Sequence, residues 1–389
     1  MTHTDISFSS TDTRRYRQLK NNGFSLVELL VATAVGLVLL SGMFTVLQGN
    51  LRSSDLNSSM SDIQESARFA MNRLADSIRM SGFQGCLDVN SGAAVVLSND
   101  KPTINLSDTA AYASVISADN SWNPAPPNGF STGNHTAVPG THALVLQYGD
   151  PATYPLFEQL SSGGIPDPNG PVVVDTSPGI SARNFDLVAG DFALISNCSY
   201  ANIFQITSVA INGNTASIGH DASLNETSAL GYGFGDASSI RETRVMRFVS
   251  NVFYVGDTGL TNDAGNSITA LYQQSLPYGD VVNNPPVELI RGVENLRISF
   301  GVRTGSESMT YMQPDDPVFD PAMVASIRLG LLMSSYDTIL QDNDTNTYVL
   351  AGQAVTKPGA SDVTHAGDKR YRLAFNTTIK IRNRRNTYE

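Results

Sequence analysis

The chain has 389 residues, 41% of them apolar and 16% charged, so it can bury a core and is not disordered overall. Its 32 Gly and 18 Pro, with many Asn, Ser and Thr, favour a β-rich, turn-rich body over a helical bundle. A net charge of -11 argues against that body being a general nucleic-acid binder.

Residues 1–23 are polar and place Arg14, Arg15, Arg17 and Lys20 just ahead of an apolar run from Phe24 to Leu47. That run holds one ionisable residue, Glu28, and no proline. At about 1.5 Å per residue, some 20 residues cross the roughly 30 Å hydrocarbon layer, so the run is long enough to span. The basic flank puts residues 1–23 in the cytoplasm and everything after residue 50 across the membrane. An ordinary secretory signal would have a shorter apolar core and a small-x-small cleavage site after it. A plain signal anchor has no reason to carry Glu28, since an acid at the centre of a spanning segment costs roughly 2.5–3.5 kcal/mol, less near an interface. A helix that packs beside others does have a reason, if a neighbour supplies a positive charge at the same depth. Cleavage between Gly23 and Phe24 would create such a charge, an α-amino group.

The segment G-F-S-L-V-E from Gly23 to Glu28, with its basic leader and long apolar run, resembles the class III signal of type IV pilins and type II secretion pseudopilins. The resemblance implies that a membrane prepilin peptidase cuts after Gly23 and N-methylates Phe24. It also implies that Glu28 recruits the subunit by pairing with a neighbour's N-terminal amine. The leader is longer than most in that family.

Past Leu47 the pattern becomes one-sided. Leu56, Met60, Ile63, Ala67, Ala70, Leu74 and Ile78 recur at helical spacing, with Asp55, Asp62, Glu65, Arg68, Arg73, Asp76 and Arg79 on other faces. Glu65 with Arg68 and Asp76 with Arg79 are i,i+3 pairs, worth a few tenths of a kcal/mol each. Ser81, Gly82 and Gly85 end the helix, which from Phe24 to Met80 would be about 85 Å long. The stripe from Leu56 to Ile78 is expected to pack on the protein's own head, leaving the membrane half for neighbouring subunits.

Residues 82–140 read as turn-rich, with a loop from Asn123 to Gly129. Short strands are predicted at His142–Tyr148, Val172–Asp175, Phe192–Ser196 and Ile203–Ile211, and a longer one at Arg244–Val255 with a bend at Ser250 or Asn251. The last hundred residues alternate most cleanly. Leu296, Ile298, Phe300 and Val302 oppose Arg297, Ser299 and Arg303. Ile327, Leu329, Leu331 and Met333 oppose Arg328, Gly330 and Ser334. Tyr371, Leu373, Phe375, Ile379 and Ile381 oppose Arg370, Arg372, Asn376, Lys380 and Arg382. Three half-buried strands point to an antiparallel sheet wrapped against the helix.

The segments V-E-N-L-R-I-S-F-G-V from Val293, S-I-R-L-G-L-L-M-S-S from Ser326 and R-Y-R-L-A-F-N-T-T-I-K-I-R-N from Arg370 resemble the C-terminal part of PilW-type minor pilins. G-D-F-A-L-I-S-N-C from Gly190 is similar to the segment carrying that family's second cysteine. With the head in an oxidising periplasm, a Cys86–Cys198 disulfide is the default. Its alternatives are two buried thiols or an exposed cysteine paired with another subunit.

Motifs for catalysis or ligands are weak. G-F-S-T-G from Gly129 fits a nucleophile elbow around Ser131 but lacks the strand before and the helix after. Gly231, Gly233 and Gly235 have no strand–turn–helix around them. His3, His135, His142, His220 and His365 are scattered without metal-ligand spacing, so neither metal nor cofactor is implied. Asp342, Asp344 and Asn346 resemble the start of a Ca²⁺ loop without the glycine and closing glutamate, and a solvated loop is expected there. Seven Lys and Arg fall in residues 369–389, so Arg370, Arg372, Lys380 and Arg382 are a candidate basic contact face. It reads as an exposed strand edge guarded by charge, or as a contact for an acidic pilin or for DNA at a filament tip.

The expectation is an α+β, pilin-like fold with four parts: a cleaved leader (1–23), a transmembrane helix (24–47), its amphipathic continuation (48–81) and an antiparallel, β-rich periplasmic head (82–389). The resemblance implies a non-enzymatic minor pilin that primes or caps a type IV pilus. Its partners would be other minor and major pilins, the prepilin peptidase and the inner-membrane assembly machinery. It would sit in the inner membrane and then at the pilus tip or base. A type II secretion pseudopilin and an anchored periplasmic enzyme or binding protein are the alternatives.

Overall fold

The computed structural model describes residues 24–87, 94–99, 111–127, 130–162, 165–181, 184–230, 234, 240–276, 285–305, 308–320, 323–360 and 363–383. The chain divides into two compact units, Met1–Asp55 and Leu56–Glu389. One helix, α1 (Leu26–Met80), runs through the boundary. No proline interrupts it, and its sequence is rich in Leu, Ala, Met and other good helix formers.

In the first unit the apolar side chains of α1 are exposed all round, from Leu26 and Val27 through Val38 to Phe44 and Leu51. A helix that is apolar on every face has nothing to gain from water. In the second unit α1 becomes amphipathic and buries Ile63, Ala67, Ala70, Leu74 and Ile78. Each large aliphatic side chain buried in this way contributes about 1.5–3 kcal/mol. The predicted stripe begins to pack later than its spacing suggests, because Leu56 is only half-buried and Met60 is 40% exposed.

Two sheets carry the head. The larger has nine strands: β1 (Ala94–Val96), β2 (Ala111–Ile116), β3 (Trp122–Asn123), β4 (His142–Pro155), β5 (Phe192–Ser196), β6 (Ala201–Gln205), β7 (Arg244–Thr261), β8 (Ser267–Leu276) and β9 (Val287–Arg291). Their order is β1-β6-β5-β7-β4-β2-β3, with β8 pairing β7 and β9. The β1–β6 pair is parallel and the others are antiparallel. β7 organises this sheet: β4 runs along one edge, while the other edge is shared by β5 and then β8. The predicted bend at Ser250 or Asn251 is absent, since both residues pair through β7. The irregularity lies instead between Met246 and Phe248, opposite Gly149, where a Cβ would collide with the Met246 sulfur. The predicted strand Ile203–Ile211 is two elements, β6 and Ser208–Asn212, the latter in a small sheet with Thr215–Gly219 and Val172–Asp175. Strands β1 to β3 lie in the stretch that reads as turn-rich.

The smaller sheet is antiparallel, with β10 (Val293–Arg303), β11 (Met309–Met312), β12 (Val324–Thr338) and β13 (Arg370–Lys380) in the order β11-β10-β12-β13. Its apolar face, including Leu296, Ile298, Phe300, Ile327, Leu329, Leu331 and Ile379, forms one cluster with the buried stripe of α1. The sheet is not half-buried as predicted. A hairpin of Tyr348–Leu350 and Gln353–Val355 covers part of the opposite face, where Ser299 donates to the Ala351 carbonyl and Leu332 packs with Leu350 and Val355. Arg297 is buried there too, with its guanidinium donating to Gln353 Oε1 and the Gly140 carbonyl.

Candidate assembly helix

The N-terminal stretch of α1 is the first candidate. Gly23 lies outside the described residues, as does the rest of the leader. Phe24 is 83% exposed and precedes the helix, and Ser25 begins it, its carbonyl accepting from the Leu29 N–H at 3.1 Å. Glu28 therefore stands in the first turn, where the unpaired amides of a helix start carry partial positive charge and favour an acid. Ser25 and Glu28 have the S-x-x-E spacing of a capping box, a signal available in the sequence alone but not drawn from it. The hydroxyls of Thr33 and Thr45 donate back to the carbonyls of Leu30 and Ser41, at 2.9 and 3.0 Å. That removes their need for water. Among the described residues, α1 is a helix long and apolar enough to cross a membrane by length and composition.

The helix end in the second unit is fixed from several directions. Gly82 adopts φ +74°, the left-handed conformation that ends helices and that a side chain would resist. Its N–H donates to the Gln147 carbonyl of β4, and Gly149 N–H donates to the Phe83 carbonyl. Asn383, just past β13, donates from Nδ2 to the carbonyls of Arg79 and Met80, each at 3.2 Å. Cys86 is disulfide-bonded to Cys198, which tethers the chain leaving the helix to the β5–β6 turn.

The candidate basic face does not hold together. Lys380 and Arg382 are exposed, but Arg370 and Arg372 are only 4% and 2% exposed. Both reach Glu294 of β10: Arg370 Nη2 at 2.9 Å from Oε1, Arg372 Nε at 2.7 Å from Oε2. Asp368 pairs with both arginines, and Asp344 lies 3.3 Å from Arg372 Nη1. Glu294 and Asp344 from other parts of the chain, with the neighbouring Asp368, thus neutralise two cations that the alternation alone assigns to a solvent face. Burial by itself would raise the Asp344 and Asp368 carboxyls. For Asp344, hydrogen bonds from Asn346 and Tyr348 outweigh it, and for Asp368 the Arg372 guanidinium does, so both are held below the ordinary carboxylate value.

The same cluster disposes of the Ca²⁺-loop resemblance. Asp344 is buried, not solvated: Oδ1 accepts from Asn346 N and Nδ2, and Oδ2 from the Tyr348 hydroxyl at 2.8 Å. Its lone pairs are already engaged. Ser131 lies on no strand-to-helix turn; its Oγ accepts from Gly133 N–H. Gly129, Gly231, Gly233 and Gly235 fall outside the described residues. His135, His142, His220 and His365 each have a hydrogen-bond partner of their own, and no group of three or more metal-ligating side chains occurs among the described residues.

Residues 252–383 match the family model of Type IV Pilus-assembly protein W, and residues 19–44 match that of the Prokaryotic N-terminal methylation motif. Among solved structures, a type IV-like pilin from Thermus thermophilus matches at 14% identity, covering 35% of this chain and 78% of that chain, with a TM-score of 0.18. No curated protein matches. The methylation-motif match falls on the long apolar N-terminal helix, which a strand-rich head follows, and in these features the chain is similar to type IV pilins. The segment from the middle of β7 to Asn383 is similar to PilW, and the apolar helix is long enough to serve as a membrane anchor.

Proposed function

We propose that this chain is a minor subunit of the type IV pilus, which primes or caps the filament through its N-terminal helix. Prepilin peptidase cuts between Gly23 and Phe24 and methylates Phe24. The subunit then waits in the inner membrane, N-terminus cytoplasmic and head periplasmic, until other minor and major pilins and the assembly machinery take it into the pilus. The observation that carries this reading is the exposed apolar surface of Phe24–Leu47 around a single acid, Glu28, in the first helical turn. Such a surface is stable in lipid or against like helices, and an acid at its start meets a neighbour's freed amine at the same depth. The match to PilW favours the pilus over a secretion pseudopilin, which shares the N-terminal signal.

Mass spectrometry of the mature protein from a host with the peptidase tests processing: a methylated Phe24 terminus is expected, and a retained leader overturns the reading. A gene deletion scored for surface pili against exoprotein secretion separates the two assemblies. Glu28→Ala is expected to abolish incorporation while leaving the subunit in the membrane.

A further inference from the structure

A cleft of about 520 Å³ opens in the second unit between the last turns of α1 and the centre of the nine-stranded sheet. Its volume is that of a small-molecule site. The floor is a chain of side chains that hold one another. Arg73 Nε and Nη2 donate to Gln273 Oε1 at 3.2 and 2.9 Å. Gln273 Nε2 donates to Asn251 Oδ1 at 3.1 Å and to Ser275 Oγ at 3.0 Å. Ser275 Oγ donates to the same Asn251 oxygen at 2.6 Å, and Asn251 Nδ2 donates to the Tyr148 hydroxyl at 2.7 Å. The Tyr148 hydroxyl is also hydrogen-bonded with Ser77, which ties the network to the last turns of α1. Such a network fixes its groups before any ligand arrives, which lowers the cost of binding.

Charge narrows the ligand. The lining carries two cations, Arg73 and Arg247, and two anions, Asp76 and Asp150. Arg247 is paired with Asp186 and Asp191, and Asp76 with Arg79, so neither presents an unbalanced charge. A phosphate would face two carboxylates and a metal ion two guanidinium groups. The backbone narrows it further. Asn251 pairs on both sides, with Leu146 and Ser275, and Gln273 does so with Phe253 and Val287, so the floor offers no free strand edge to an extended peptide. What remains is recognition by side-chain amides, hydroxyls and one guanidinium, beside apolar Val249 and Pro151. One wall also carries a donor in want of an acceptor, the buried Arg247 Nε–H.

We infer that this cleft is a binding site for a short neutral saccharide, whose hydroxyls meet the fixed polar floor and whose C–H face meets the apolar wall. This inference does not depend on the role of α1 in assembly. The test uses the full chain in dodecylphosphocholine micelles, which carry no sugar, titrated with maltose, cellobiose, lactose and chitobiose and followed by saturation-transfer NMR. At least one disaccharide is expected to bind in the millimolar range or tighter. Arg73→Met and Asn251→Ala should each weaken it about tenfold, the equivalent of about 1.4 kcal/mol, while Lys380→Ala leaves it unchanged. Inorganic phosphate and glycine should not displace it. The inference is overturned if none of the four sugars binds, if binding survives Arg73→Met unchanged, or if phosphate or glycine competes. Should Asn251→Ala fail to fold by its melting curve, the exposed Arg73 decides alone.

Discussion

The Asn383 side chain donates to the Met80 carbonyl at 3.2 Å, joining the residue that follows the last strand to the last turn of α1. Helix ends leave four carbonyls without intrahelical partners, and one amide here serves several of them. Asn383→Ala is therefore expected to destabilise the head by about 1–2 kcal/mol, the cost of leaving such acceptors unmet. A melting curve against wild type measures it; an unchanged Tm would show that water replaces the amide at no cost.

The Cys86–Cys198 bond closes a loop with a sequence separation of 112. In the chain-entropy account, a loop of that size is worth about 4–5 kcal/mol, because it restricts the unfolded chain. Replacing both cysteines by serine should lower stability by that order, with the denaturant midpoint falling and the wild type matching the variant once reduced. Both cysteines are exposed, so the reductant reaches the bond without prior unfolding.

The elements legible in the sequence are those whose partners follow from local period. The α1 stripe from Ile63 to Ile78 and the alternating strands β10, β12 and β13 bury one face each in a common cluster, and the pattern encodes that face directly. Long-range cover is not encoded in that way. Ser299 reads as solvent-facing because nothing near it announces the Tyr348–Val355 hairpin that caps it. Arg370 and Arg372 read as a basic surface because their counter-charges, Glu294 and Asp344, come from other elements. The strands β1 and β3 are too short for a period to register, and β2 is buried on both faces, so it shows no alternation. Asn383 caps a helix some three hundred residues upstream, and no local signal could point there.

His142 makes folding sensitive to acid. It is buried, with Arg297 Nη1 at 2.7 Å from Nε2 and the Ile298 N–H at 3.2 Å from Nδ1, so donors face both ring nitrogens. Burial first, and the Arg297 charge second, push its pKa from 6.5 down to about 3. The folded value is the lower one, so below pH 6.5 the unfolded chain takes up the proton first and stability falls as pH drops towards 3. At about 1.4 kcal/mol per pH unit the loss is on the order of 4–5 kcal/mol. His142→Gln should flatten this slope by one proton, read from denaturation between pH 7 and pH 4. Parallel slopes in the two proteins would show that the ring charges without unfolding.

Arg372 is the one cation in contact with all three acids of the buried cluster, Glu294, Asp344 and Asp368. Removing it leaves Asp344 without a cation and Glu294 and Asp368 with Arg370 alone, and breaking a buried pair in this way costs about 3–5 kcal/mol. Arg372→Met is therefore expected to unfold at clearly lower denaturant. Arg382→Ala, on the exposed continuation of the same strand face, should stay within about 0.5 kcal/mol of wild type. The lowered carboxyl pKa values of Asp344 and Asp368 contribute stability that is present above the ordinary value of 3.8 and lost as pH falls through the folded values. In Arg372→Met that acid-labile contribution should shrink, because at Asp368 the lowering comes chiefly from Arg372 itself. Added salt should not mimic the substitution, since buried pairs are screened far less than surface ones. A salt titration that weakens the wild type as much as Arg372→Met does would place these charges in water, contrary to their burial.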